Sequence, residues 1–238
     1  MGEPVLFVVF ALAAAAIALG SWLARQRRAQ ALARLCAERG WRYVARDDSW
    51  VGRLAPYFPL FRAGDGGRRC DNVIRLRGRQ AEFILMDYSY YEESTDSDGH
   101  RSRRTVRHAV ATAELPGWLP NLRLGPETVL TRLTSAVGFT DIELESVEFN
   151  RRFRVQAKDR AHAFAILHPR AISHLLAQPY ESWEMSGSAL VLSRRGSWRP
   201  EEYGPAAVIA EAFIDLVPDY VWRQHSDDVP DSSEGAAR

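Results

Sequence analysis

The residues able to carry chemistry are few and scattered along this 238-residue chain. His108 lies in an alternating stretch that reads as a strand. Imidazole titrates near neutral pH, so a carboxylate such as Asp87 on a neighbouring strand would make it a general base. The same pairing serves equally well as a structural hydrogen bond, and no Gly-x-Ser-x-Gly elbow supplies a nucleophile. His162, His168 and His174 recur every six residues, which misses the i, i+4 spacing of a helical metal pair, and Pro169 interrupts them. Asp96-Ser97-Asp98-Gly99 matches part of a calcium loop but lacks the remaining ligand spacing and the closing glutamate. Cys36 and Cys70 stand 34 positions apart with no CxxC pair, so the common zinc ribbons and haem attachment are excluded. Lys158 is the one lysine among 31 basic residues. With no glycines ahead of it a P-loop is excluded, and lysine-based cofactor chemistry is disfavoured. The expectation is a protein that is not an enzyme and uses neither cofactor nor metal.

Arginine is the other reservoir of function, because its planar fork suits carboxylates and phosphates. Arg151 and Arg152 sit in the phrase Phe149-Asn150-Arg151-Arg152-Phe153, either as a bidentate clamp or as solvated residues between two aromatic core anchors. Arg101, Arg103 and Arg104 follow the acidic block Glu92 to Asp98 on a long hairpin tip. If those acids fold back, the tip is electrically self-satisfied. Arg25, Arg27 and Arg28 directly follow an uncharged apolar run, Val5 to Leu23, with Trp22 near its end.

That run sets the frame for everything else. As a helix it covers roughly 30 Å, the hydrocarbon thickness of a bilayer. A cleavable signal would want a basic start and a shorter apolar core, whereas Met1-Gly2-Glu3-Pro4 offers one acid. Leu6 stands where a myristoylation motif needs Ser or Thr. With every nearby base on the C-terminal side, the positive-inside rule places the N-terminus outside and the domain in the cytoplasm, in a single-pass cell-membrane protein. The expected division is an anchor at 1–24, a juxtamembrane helix at 25–40, a globular domain at 41–222 and a disordered tail at 223–238. A formal net charge of +1 argues against an extended nucleic-acid surface.

Within the domain, periodicity predicts a helix through Arg39 ending at Gly40, with Ala29, Leu32, Leu35 and Cys36 as its packing stripe. Short extended structure is expected at Trp41 to Val44, a two-faced apolar strand at Ala81 to Tyr90, and a strand at Thr105 to Ala113 whose small face invites a helix. A helix from Pro126 or Glu127 to Val137 precedes a hairpin expected to turn at Asn150-Arg151, pairing Leu144 with Ala157; because Arg151 is not a favoured left-handed turn residue, a longer loop or a bulge is the alternative connection. Asp159 caps a helix to Leu167, Pro169 opens another to Ala177, and a closing hairpin folds around Gly187-Ser188. The last helix, Pro205 to Val217, is apolar nearly all round and should be buried. The resulting fold class is α+β, an antiparallel-rich sheet with packed helices.

Several ordered phrases, among them Arg39-Gly40-Trp41-Arg42-Tyr43-Val44, Asn72-Val73-Ile74, Met86-Asp87-Tyr88-Ser89-Tyr90 and Leu167-His168-Pro169-Arg170, carry a family likeness. Across most of residues 25–222 the chain resembles an uncharacterised family of small single-span membrane proteins of high-GC Gram-positive bacteria. The resemblance implies an anchored globular domain and supplies no catalytic residues. The acidic tip Glu92 to Asp98 departs from the small, basic tip more usual there. The functional expectation is a membrane-tethered interaction module with an unknown protein partner. The alternative is a reader of anionic lipid headgroups through Arg25, Arg27 and Arg28 with Arg101, Arg103 and Arg104.

Overall fold

The computed structural model describes residues 3–126 and 139–224. Its first element, α1 (Glu3–Arg39), is a single unbroken 37-residue helix. The apolar part of α1 is long enough to cross a membrane and is exposed from Phe7 to Leu23, as a lipid-facing span would be. The helix stops where the chain needs a left-handed residue, at Gly40 with φ 68°. Leu32 and Cys36 are buried against the domain, with Ala29 and Leu35 half-buried beside them. The anchor thus enters the fold without a linker.

Seven strands form one antiparallel sheet: β1 (Arg42–Arg46), β2 (Gly66–Arg77), β3 (Glu82–Thr95), β4 (Arg101–Gly125), β5 (Thr140–Ile142), β6 (Arg154–Ala157) and β7 (Ser182–Arg195). The order runs β1-β2-β3-β4-β6-β5, and β7 lies along the other edge of β4. β4 can serve so many neighbours because it is 25 residues long and breaks its ladder between Glu114 and Leu122. Pro116, Gly117 and Pro120 fall in that interval, where a missing N–H or side chain interrupts pairing. Before it β4 pairs with β3, and beyond it with β6. The expected α+β, antiparallel-rich architecture is the one observed.

Both faces of the sheet are covered. The larger core gathers Phe83, Leu85, Ala109 and Ala111 with α1, α5 (Pro169–Ala177) and α6 (Tyr203–Ile214). The smaller core puts Cys70, Met86, Tyr88 and Val110 under α2 (Ser49–Leu54) and the 3-10 turn Pro59–Arg62. The small residues of β4 make room for Trp198, whose buried indole Nε1 donates to the carbonyls of Met86 at 3.1 Å and Val110 at 3.2 Å.

Four local expectations need correction. The turn at Asn150-Arg151 is replaced by a short helix, α3 (Val147–Arg152), and the register becomes Thr140 with Ala157 and Ile142 with Val155. The parity reasoning holds, but Ser146 Oγ accepts from Phe149 N at 3.3 Å and Asn150 bonds both backbone groups of Leu144, so the connection coils. The hairpin around Gly187-Ser188 is instead the continuous β7, with Gly187 in a left-handed conformation at a register shift against Leu119. α6 buries Ala206, Ala207, Ala210, Phe213 and Ile214 yet leaves Val208 65% exposed, so it is not apolar-packed all round. Arg223 and Gln224, assigned to the tail, end α7 (Asp219–Gln224), which Val221 pins to the core. The α4 helix (Arg160–Ile166) has its expected cap, Asp159 Oδ1 accepting from His162 N at 3.1 Å. The helix expected at 127–137 and the tail from 225 onward lie outside the described residues.

Candidate functional site

The sheet face that carries Phe83 and Leu85 continues along β3 to Asp87 and Ser89, because every second side chain shares a face. Where α1 leaves the domain toward its apolar end, this face has no hydrophobic cover and turns polar. Two transverse rows result. One aligns Asp71, Asp87 and Ala109 on β2, β3 and β4; the next aligns Arg69, Ser89 and Arg107. Above them, α1 brings Ser21, Arg25 and Arg28, and the half-open cleft between helix and sheet measures about 760 Å³.

Asp87 is the centre of the inner row. It is 7% exposed and accepts three hydrogen bonds of 2.8 Å: Arg28 Nη2 and Asn72 Nδ2 on Oδ2, and Trp198 N on Oδ1. All three groups donate, so the site is built for a carboxylate rather than a carboxylic acid. Burial pushes the Asp87 carboxyl above its usual range, while the Asn72 amide, the Arg28 charge and the Trp198 N–H pull it back. Arg28 also donates to the Trp198 carbonyl, tying α1 to the segment after β7. Asn72 reaches Asp87 because the β2 ladder slips between Asp71 and Ile74, leaving Asn72 at φ 52°. Asparagine tolerates that left-handed conformation better than most residues, and such bulges re-aim side chains. Tyr43 on β1 completes the chain of bonds, its hydroxyl donating to Asn72 Oδ1 at 3.0 Å. Four sheet or post-sheet segments and the anchor helix thus converge on one carboxylate.

The outer row is less satisfied. Arg69 Nε pairs with Asp71 Oδ2 at 2.9 Å. Arg25 and Arg107 have no ion-pair partner among the described residues, and both line the same cleft. Four arginines therefore share the cleft with two aspartates.

The arginine triplet expected at the membrane interface is divided by the structure. Trp22, Arg25 and Arg27 are exposed on α1, but Arg28 is turned into the domain and bonded to Asp87, so it is a joint rather than a headgroup contact. At the hairpin tip, Arg103 Nη2 meets Glu93 Oε1 at 2.8 Å and its guanidinium covers the Tyr91 ring at 4.1 Å. Arg104 lies opposite Glu92 and Arg101 opposite Thr95, so the strands extend almost to the tip; Glu93 folds back on Arg103, while Asp96 accepts from the backbone N–H groups of Asp98 and His100. Arg151 is exposed, but Arg152 donates to the carbonyls of Leu176 and Gln178 at the end of α5. That arginine closes a helix C-terminus.

His108 does not meet Asp87 either. It lies opposite Tyr88 on the smaller-core face, stacked on Tyr90 at 5.8 Å, while Asp87 points to the other side. Burial, helped by Arg195 across the strand pair, lowers the His108 pKa to about 4. His162, His168 and His174 are spread among separate helix contacts, and no group of three metal-ligating side chains occurs among the described residues. The residues missed by sequence reasoning are Asn72, Trp198, Arg69 and Arg107. One signal was available: Asp87 shares the parity of Phe83 and Leu85, and a charge at a core-facing position demands partners.

The fold and its cleft define a class of protein: an α+β domain fused without a break to one candidate membrane helix, with a polar cleft at the junction. No protein-family model matches the chain, and no curated protein matches it. Among solved structures, the fold is similar to that of the mycobacterial trehalose monomycolate transport factor A, TtfA, at a TM-score of 0.58 and 12% identity. The match covers 81% of this chain and 93% of that one. At such identity the likeness is one of fold.

Proposed function

We propose that this protein is a membrane-tethered accessory module that acts by binding a protein partner at the bilayer surface rather than by catalysis, with its N-terminus outside and its domain in the cytoplasm. The observation that carries this reading is the unbroken α1. It runs from the apolar segment into the core and is locked there by Arg28 on Asp87 and on the Trp198 carbonyl. A flexible linker would merely keep the domain near the membrane; a rigid helix fixes its height and the face it shows. Fixed pose matters for a component that must dock on something else in the same plane. A similar fold in a transport factor supports an accessory role in membrane transport, and its mycobacterial source fits the resemblance to small single-span proteins of high-GC Gram-positive bacteria.

The test compares the wild-type chain with one carrying Gly-Gly-Ser-Gly-Gly-Ser inserted after Gln26, which keeps the span and the domain but uncouples them. Both are solubilised mildly from native membranes and sized on native gels. The expected result is a complex larger than the lone protein, lost or weakened in the insertion variant although membrane fractionation is unchanged. A wild-type protein that runs alone, or an insertion without effect, refutes the reading. Protease access to a C-terminal tag in intact cells checks the topology: cleavage from outside contradicts it.

A further inference from the structure

We propose that the cleft between α1 and the β2-β3-β4 face binds a phosphate group, and that the phosphate belongs to an anionic phospholipid of the adjoining leaflet. Arg69 and Arg107 flank Ser89 in one row across three strands, and Arg25 hangs over that row from α1. Adjacent strands lie about 4.8 Å apart, so the two sheet arginines start roughly 10 Å apart with a hydroxyl midway between them. A phosphate seated over Ser89 fits that interval, with guanidiniums closing on its oxygens from both sides. The inner row explains why these arginines are available. Arg28 alone is consumed by Asp87, and Arg69 keeps donors beyond its Asp71 contact.

Position selects the source of the phosphate. Ser21 and Ala24, at the end of the apolar run, line the same cleft as Arg25 and Arg28. From Ser21 to Ala29 the helix climbs about 12 Å, which covers the headgroup layer just outside the hydrocarbon. Further along the helix, Ile17 and Phe10 are exposed on the face that continues Ser21, Arg25 and Arg28, an apolar track along which acyl chains can stay in the bilayer while the headgroup turns into the cleft. The lipid source rests on the tethered-domain reading; the phosphate chemistry does not.

The test titrates the full-length protein in a neutral detergent with dioctanoyl phosphatidylglycerol, dioctanoyl phosphatidylcholine, glycerol phosphate and inorganic phosphate, by calorimetry. Wild type should bind the anionic lipid saturably and at least tenfold more tightly than the zwitterionic lipid or either soluble phosphate. Arg107→Gln and Arg25→Gln should each weaken it about tenfold, the scale of one lost charge-assisted hydrogen bond. Arg151→Gln, an equal charge change far from the cleft, should leave it unchanged. Both cleft arginines are exposed, and unaltered thermal unfolding confirms that the variants fold. Equal affinity for inorganic phosphate overturns the lipid assignment; equal affinity for both lipids, or equal weakening by Arg151→Gln, overturns the site. Because the titration is done in micelles, its outcome is independent of the topology and complex-size tests of the tethered module.

Discussion

Arg28→Met isolates the joint between anchor and domain. Methionine keeps much of the apolar stem and removes the charge, leaving Asp87 with two of its three donors and the Trp198 carbonyl without its guanidinium. Losing one partner of a fully buried pair costs 3–5 kcal/mol; here the Arg28 side chain is 30% exposed against 10% for Asp87, so water shares the load and about 3 kcal/mol is expected. For a domain of this size that lowers Tm by about 6–12 °C. The charge left behind also gives the deficit a pH dependence. Without Arg28 the folded-state pKa of Asp87 rises further above its unfolded value. The native state then holds its proton more firmly, and the stability of the variant falls as pH rises through that window. The gap to wild type should therefore narrow on acidification below neutrality. The assay is intrinsic-fluorescence melting of full-length protein in dodecyl maltoside between pH 5 and 8. Arg28→Met/Asp87→Asn, which removes both charges, should cost at least 1 kcal/mol less than the sum of the single variants. A Tm within 2 °C of wild type for Arg28→Met, or a strictly additive cycle, would refute the idea that this pair holds the anchor to the sheet.

Three further outcomes follow from the same geometry. His108 has its pKa lowered to about 4, so the unfolded state takes up a proton first as pH falls; stability present above pH 6.5 is lost down to pH 4, up to about 3 kcal/mol, and His108→Gln should flatten that stretch of the melting profile. Asn72→Gly should lose about 1–2 kcal/mol through its contacts to Asp87 and Tyr43, and Asn72→Ala more, because alanine adds left-handed strain; equal melting temperatures for the two would remove the bulge from the argument. Cys70, wholly buried and with its thiol pushed up to about 12, should resist iodoacetamide at pH 8 until the protein is denatured, which mass spectrometry reads directly.

Local chemistry made much of the scaffold legible. The charge-free run and the left-handed stop at Gly40 announced α1, Asp159 announced the cap of α4, and the alternation from Phe83 to Tyr90 announced a strand with two buried faces. What escaped depends on partners distant in sequence. Arg28 and Asp87 are 59 residues apart, and Trp198 and Asp87 are 111 apart. No periodicity links such positions. Beside the span, Arg28 reads as one more headgroup arginine. At Asn150-Arg151 the opposite failure occurred. A strand pattern with correct parity was joined by the shortest turn, while the Ser146 cap and the Asn150 side chain stabilise a coiled connection that parity alone cannot distinguish.

The two rows of the cleft divide the work between holding and binding. A buried carboxylate with three donors is a poor place to take a ligand, since any newcomer must compete with a satisfied hydrogen-bond set in a low-dielectric setting. One row outward, Arg69 and Arg107 beside the buried Ser89 are more open to water than Asp87 and carry cationic groups whose partners are incomplete. Because α1 contributes Arg28 to the inner row and Arg25 to the outer one, three residues apart and nearly one helical turn, the orientation that locks the anchor also delivers the second arginine. Uncoupling the anchor should then weaken anionic-lipid binding as well as partner assembly, whereas Arg107→Gln should weaken lipid binding alone and leave Tm in place. Finding that the insertion after Gln26 abolishes assembly yet leaves lipid affinity intact would separate the two roles and show that Arg25 does not need Arg28 to position it.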